Sequence, residues 1–145
     1  MAWNVSGSWN VSGEFGSYEL PYYTPIVGLV DGVKVKYTPV TLFDFSDNFL
    51  VCTVQYKDGT AVSTDLFREA FYSLADQLGE VKITADMTSG VSFKDGKILI
   101  HIDDALLDFN GQGMHQLVVI TEDGHKLPPV FLEKVKIIST LQEAG

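Results

Sequence analysis

Asp-Gly pairs fall at residues 31–32, 58–59, 95–96 and 123–124, each between apolar or alternating stretches. This punctuation constrains the fold more than any other feature of the chain. Asp and Gly both tolerate the positive φ that tight hairpin turns need, so a recurring Asp-Gly between apolar segments predicts antiparallel strands. Ile26–Val30 and Val33–Tyr37 flank the first pair and read as one hairpin, and Phe49–Tyr56 runs into the second. Along Lys97–Asp103, Ile98, Ile100 and Ile102 share one face while Lys97, His101 and Asp103 share the other, the two-residue period of a half-buried strand. Val81, Ile83, Ala85 and Met87 alternate in the same way around Lys82, Thr84 and Asp86. Leu117–Thr121 is a continuous apolar run, and Phe131–Ile138 sets Phe131, Val135 and Ile137 against Lys134 and Lys136.

One segment departs from this pattern. Asp65–Leu78 carries Leu66, Phe67, Ala70, Phe71, Leu74 and Leu78 at helical spacing. Thr64 or Asp65 is suited to cap its start and Gly79 to follow its end, so the spacing predicts an amphipathic helix over 65–78. Short strands at turn-marked intervals plus one helix give a mainly β fold, an antiparallel β-sandwich of the immunoglobulin-like kind with one inserted helix. The paired cysteines and core tryptophan of antibody domains are absent. Cys52 is the single cysteine, and its apolar surroundings predict a buried strand position.

Residues 1–25 differ from the rest and read as an extended aromatic arm ahead of a 26–145 domain. They contain both tryptophans and no Lys or Arg. Trp3-Asn4-Val5-Ser6-Gly7 is repeated as Trp9-Asn10-Val11-Ser12-Gly13. The even offset puts both indoles on one side of an extended chain, because strand side chains alternate. Tyr18, Tyr22 and Tyr23 follow, with Pro21 and Pro25 favouring extended backbone around them. Trp3, Trp9, Tyr18, Tyr22 and Tyr23 are therefore the candidate partner-binding residues, since aromatic anchors are enriched at interfaces.

The formal charge is −9, and Arg68 is the single arginine. That balance works against a phosphate backbone or an anionic membrane surface as partner, both of which call for clustered cations, so neither nucleic acid nor membrane is expected. No apolar run approaches the ~20 residues that span a bilayer. The N-terminus lacks the basic and apolar regions of a signal peptide, so synthesis in a cytoplasm without general secretion is expected.

The chain offers no catalytic constellation. His101, His115 and His125 are not spaced as zinc ligands, and there is no nucleophile elbow or phosphate-cradling loop. Gly111-Gln112-Gly113 reads as a turn. Asp103, Asp104, Asp108 and Asn110 have the composition of a calcium loop, but Ala105-Leu106-Leu107 interrupts the spacing and no downstream glutamate completes it. Carboxylates for glycoside hydrolysis, drawn from these or Asp86, have no further support. No enzyme, metal or cofactor is expected.

The run Asp95-Gly96 and Lys97–Ile102, then Leu106–Gly113, then His115–Thr121 with Glu122-Asp123-Gly124, has the cadence strand, small connection, G-x-G, strand, turn. Over about residues 40–138 it resembles the immunoglobulin-like domains of tailed-phage virion proteins: capsid decoration proteins, head fibres and upper baseplate modules. That resemblance implies a virion structural protein, docked on a capsid or other virion protein through its N-terminal segment and often a homo-oligomer. The alternative is a carbohydrate-binding module, a glycan lying on exposed Trp or Tyr beside Asp and Asn.

Overall fold

The computed structural model describes residues 21–32 and 40–141. Nine strands form two sheets facing one another: β1 (Thr24–Leu29), β2 (Val40–Phe43), β3 (Asn48–Gln55), β4 (Phe67–Asp76), β5 (Val81–Ala85), β6 (Val91–Lys94), β7 (Lys97–Ile102), β8 (Gly111–Thr121) and β9 (Phe131–Ile138). One sheet runs in the order β1-β3-β7-β6 and the other β2-β9-β8-β4-β5. Most neighbours are antiparallel, but β1 lies parallel to β3 and β2 parallel to β9. The fold is a mainly β sandwich.

Alternating strand residues fill the space between the sheets. Leu50, Cys52 and Val54 of β3 meet Ile98, Ile100 and Ile102 of β7 on one inner face, all buried. Ala70, Tyr72 and Leu74 of β4, Leu117 and Val119 of β8, and Phe131, Val135 and Ile137 of β9 supply the other. Each such Leu, Ile or Val contributes about 1.5–3 kcal/mol when removed fully from water, so the alternation read from the sequence selects the register as well as the strand.

The Asp-Gly pairs at 58–59, 95–96 and 123–124 lie at turns, with their glycines at φ 92°, 75° and 94°. Asp95 itself is at φ 53°, and Lys94 pairs with Lys97, so β6 and β7 close through a two-residue turn with both central residues left-handed. Asp31-Gly32 follows β1, where the Asp31 carboxylate accepts the Lys57 backbone N–H at 2.8 Å. The expected partner strand Val33–Tyr37 lies outside the described residues.

The helix expected over 65–78 is a strand. Thr64–Leu66 makes a single 3-10 turn, capped by Ser63 Oγ accepting from the Asp65 N–H, and β4 follows at once. A register shift between Phe67 and Glu69 explains the false period. The bulge adds one residue to a two-residue alternation, so the buried positions fall at 67, 70, 72 and 74. Spacings of three (67 to 70) and four (70 to 74) then imitate a helix. Gly79, which suits a helix end, sits at φ 86° in the β4–β5 turn, where its N–H donates to the Asp76 carbonyl. Tyr72 decides the assignment: a helix would turn it outward, and it is fully buried.

Gly111-Gln112-Gly113 is the start of β8 rather than a turn, with Gly113 paired to both Asp76 and Val135. A Cβ on Gly113 would come within 2.3 Å of the Ala75 carbonyl oxygen, so close backbone approach explains this glycine.

Candidate functional site

One end of the sandwich gathers the chemistry. The β2–β3 connection is tied down first. The Asn48 side chain accepts from the Phe43 N–H and donates to the Phe43 and Ser46 carbonyls, closing the turn on itself. Asp44 is buried beneath it, where its carboxylate accepts from the Thr140 N–H at 2.8 Å, the Thr140 hydroxyl at 3.1 Å and the Asn110 amide at 3.3 Å. These bonds, led by the Thr140 amide, hold the Asp44 carboxyl below the usual range against the opposing effect of desolvation. The Phe45 N–H donates to the Leu107 carbonyl at 2.8 Å, joining this turn to the loop after β7.

On that platform stands Asp47. Its Oδ1 lies 3.0 Å from His101 Nε2 at the end of β7 and also accepts the Asp104 N–H at 3.0 Å. The His101 contact is the main reason the Asp47 carboxyl is held below its ordinary value, with the Asp104 amide adding to it. Asp103 joins them: one donor atom from each of Asp47, His101 and Asp103 lies within 4.8 Å of the other two. The His101 ring is stacked flat on Phe49, with centroids 4.5 Å apart and planes 6° from parallel. Tyr23 meets the same Phe49 edge-on at 5.3 Å. The row Tyr23, Phe49, His101 thus runs across the outer face of the first sheet into the acidic end.

Two hollows flank the row. An open recess of about 360 Å³ lies beside His101 and Asp103, walled by Thr84, Ser89, Gly90 and Leu106. A shallower groove of about 120 Å³ runs between Tyr22, Phe43, Asn48 and Phe49. Tyr22 is 61 % exposed at its rim. Of the predicted partner-binding residues, Tyr22 and Tyr23 therefore stand at this end. Trp3, Trp9 and Tyr18 lie outside the described residues.

The other histidines are placed elsewhere. His125 makes an exposed pair with Asp123 at 3.6 Å. His115 is in the core, its Nδ1 sharing a hydrogen with the Tyr72 hydroxyl at 2.8 Å and its Nε2 3.8 Å from the Glu133 carboxylate. Burial pushes the Tyr72 phenol up, so it stays protonated and available to that bond. No local pattern indicates that Asp47 meets His101 across 54 residues. The signal lay in strand pairing, because antiparallel β3 and β7 set Phe49 opposite His101.

No family model matches the sequence, and no curated protein matches it. Among solved structures the fold is similar to the N-terminal domain of phage TP901-1 ORF48, at 18% sequence identity and a TM-score of 0.51. The likeness covers 81% of this chain and 97% of that domain. The two share a fold.

Proposed function

We propose that this protein is a non-enzymatic structural component of a phage virion, of the capsid decoration or head-fibre type, which docks on a capsid or other virion protein through its N-terminal arm. The observation that carries the reading is the sandwich itself, which matches nearly the whole of a domain from a phage protein. The immunoglobulin-like character of the sandwich belongs to the same proposal. Tyr22 and Tyr23 support the docking route, because they bring the end of the arm onto an aromatic row at one end of the domain. The recess beside His101 is open and offers two titratable groups, His101 and Asp103, which suits recognition better than bond cleavage. No helix among the described residues is long and apolar enough to cross a membrane.

The test is occupancy in purified particles. Virions made with the Trp3→Ala/Trp9→Ala double variant should carry at least tenfold less of the protein than wild type, while the variant keeps its melting temperature. Wild-type occupancy, or absence of the wild-type protein from particles, overturns the proposal. One observation favours a second reading, a glycan-binding surface: exposed Tyr22 borders a groove with Asp47 and Asn48 on its wall. Binding on a glycan array that is lost in Tyr22→Ala would shift the assignment to it.

A further inference from the structure

We propose that Asp47, His101 and Asp103 form a site for one first-row divalent transition cation, of the zinc or manganese class. The inference stands apart from the virion reading and rests on donor geometry. One imidazole nitrogen and two carboxylate oxygens lie within 4.8 Å of one another. Donors bound at about 2.0–2.2 Å to a single ion are separated by about 3–3.5 Å when adjacent and about 4–4.4 Å when opposite, so a separation at the 4.8 Å limit would need a small inward turn of the Asp103 side chain. The 3.0 Å between His101 Nε2 and Asp47 Oδ1 fits an adjacent pair.

The donors come from two segments, the β2–β3 turn with Asp47 and the end of β7 with His101 and Asp103, and Asp47 and His101 are each held by contacts of their own. Asp47 is anchored by the Asp104 amide on a turn locked by Asn48. His101 is clamped by its stack on Phe49, and its backbone N–H donates to the Gly90 carbonyl at 2.8 Å. Ligands held in this way lose little freedom on binding, which is what outer contacts of a metal site provide.

A surface ion pair between Asp47 and His101 is the competing account of the same distance. It accounts for one carboxylate only: strand alternation puts Asp103 on the same face as His101, and two carboxylates around one imidazole are net negative whether or not His101 is protonated. A dication reverses that excess. Calcium is a poor match, since it takes six to eight oxygen donors and the cluster brings one nitrogen and two carboxylates. Imidazole with carboxylates and open positions suits a transition ion, and the recess at His101 and Asp103 leaves room for oxygen ligands beyond the three side chains.

Calorimetric titration of Zn²⁺ into the chelator-stripped full chain tests the site. One ion per chain is expected, bound at least tenfold more weakly by His101→Ala and by Asp103→Asn; both variants should fold without metal, Asp103→Asn at the wild-type melting temperature and His101→Ala somewhat lower through loss of its stack on Phe49. His125→Ala, which removes the other exposed His–Asp pair, should bind as wild type. A missing one-to-one isotherm overturns the proposal, as does undiminished affinity in His101→Ala. Loss of affinity in His125→Ala instead would place the ion at the wrong pair and overturn it equally. If Ca²⁺ binds as tightly as Zn²⁺ and ignores His101→Ala, the imidazole has no part in coordination and the assignment fails.

Discussion

The segment 64–79 offers a sharp test, because its two readings predict opposite mutational patterns. A helix over 65–78 would bury Leu66 and Leu78 and expose Tyr72. The strand does the reverse: Tyr72 is fully buried, Leu66 is 54 % exposed and Leu78 85 % exposed. Removing a buried aromatic ring costs about 3–5 kcal/mol, from lost transfer energy and the cavity left behind. For 145 residues, an unfolding entropy of ~2.1 cal/mol/K per residue makes each kcal/mol worth ~3 °C, so Tyr72→Ala should lower the melting temperature by ~10–16 °C. Tyr72→Phe keeps the ring and loses only the hydroxyl that meets His115, at about 1–3 kcal/mol or ~3–10 °C. Leu78→Ser, at an exposed turn, should stay within about 0.5 kcal/mol, under ~2 °C. Scanning calorimetry on the three variants decides the matter. A large loss in Leu78→Ser with a silent Tyr72→Phe would refute the buried-strand argument at its root.

Two glycines separate crowding from backbone strain. Gly113→Ala drives a Cβ into the Ala75 carbonyl and should cost about 1–3 kcal/mol or more by overpacking. At Gly96 a Cβ meets open space, so Gly96→Val suffers through its left-handed φ, by about 1–3 kcal/mol. Urea unfolding should show lower midpoints for both with unchanged m-values, and a neutral Gly113→Ala would contradict the β4–β8 register. Asp44 governs an acid limb. Its folded pKa lies below the reference 3.8, so ionisation stabilises the fold above that pH, and the contribution is lost as pH falls through the folded value. Asp44→Asn should therefore be less stable than wild type at pH 7, and the gap should narrow as the pH is taken below 3.8. A gap that is constant with pH would show that the carboxylate charge contributes nothing there.

Much of the sandwich was legible because it obeys local rules. Ile98, Ile100 and Ile102 alternate without interruption, and Asp95-Gly96 turns as its chemistry requires, so β7 follows from sequence alone. The β4 segment failed for an equally local reason, since one bulged residue converts a period of two into spacings of three and four. Its flanking signals were ambiguous in principle. A Ser or Thr with Asp can cap a 3-10 turn as well as a helix, and a left-handed glycine ends either a helix or a hairpin. Gly113 misled similarly, because a glycine needed for close backbone approach is indistinguishable by sequence from one needed for a turn.

The acidic, aromatic end was invisible for a different reason: it is assembled by topology. Asp103 and His101 are near neighbours in sequence and suggested little, because His101 lay on a polar strand face and the acids lacked calcium-loop spacing. What joins them into one cluster is Asp47, brought in from the β2–β3 turn, and Phe49, which β3–β7 register places opposite His101. That turn is held by Asn48 and Asp44, and Asp44 in turn draws on Asn110 and Thr140 beyond β7 and β9. These bonds hold the turn in place beneath the exposed cluster. On the metal-site proposal, that rigid base is what would keep the carboxylates and the clamped imidazole in place for an ion.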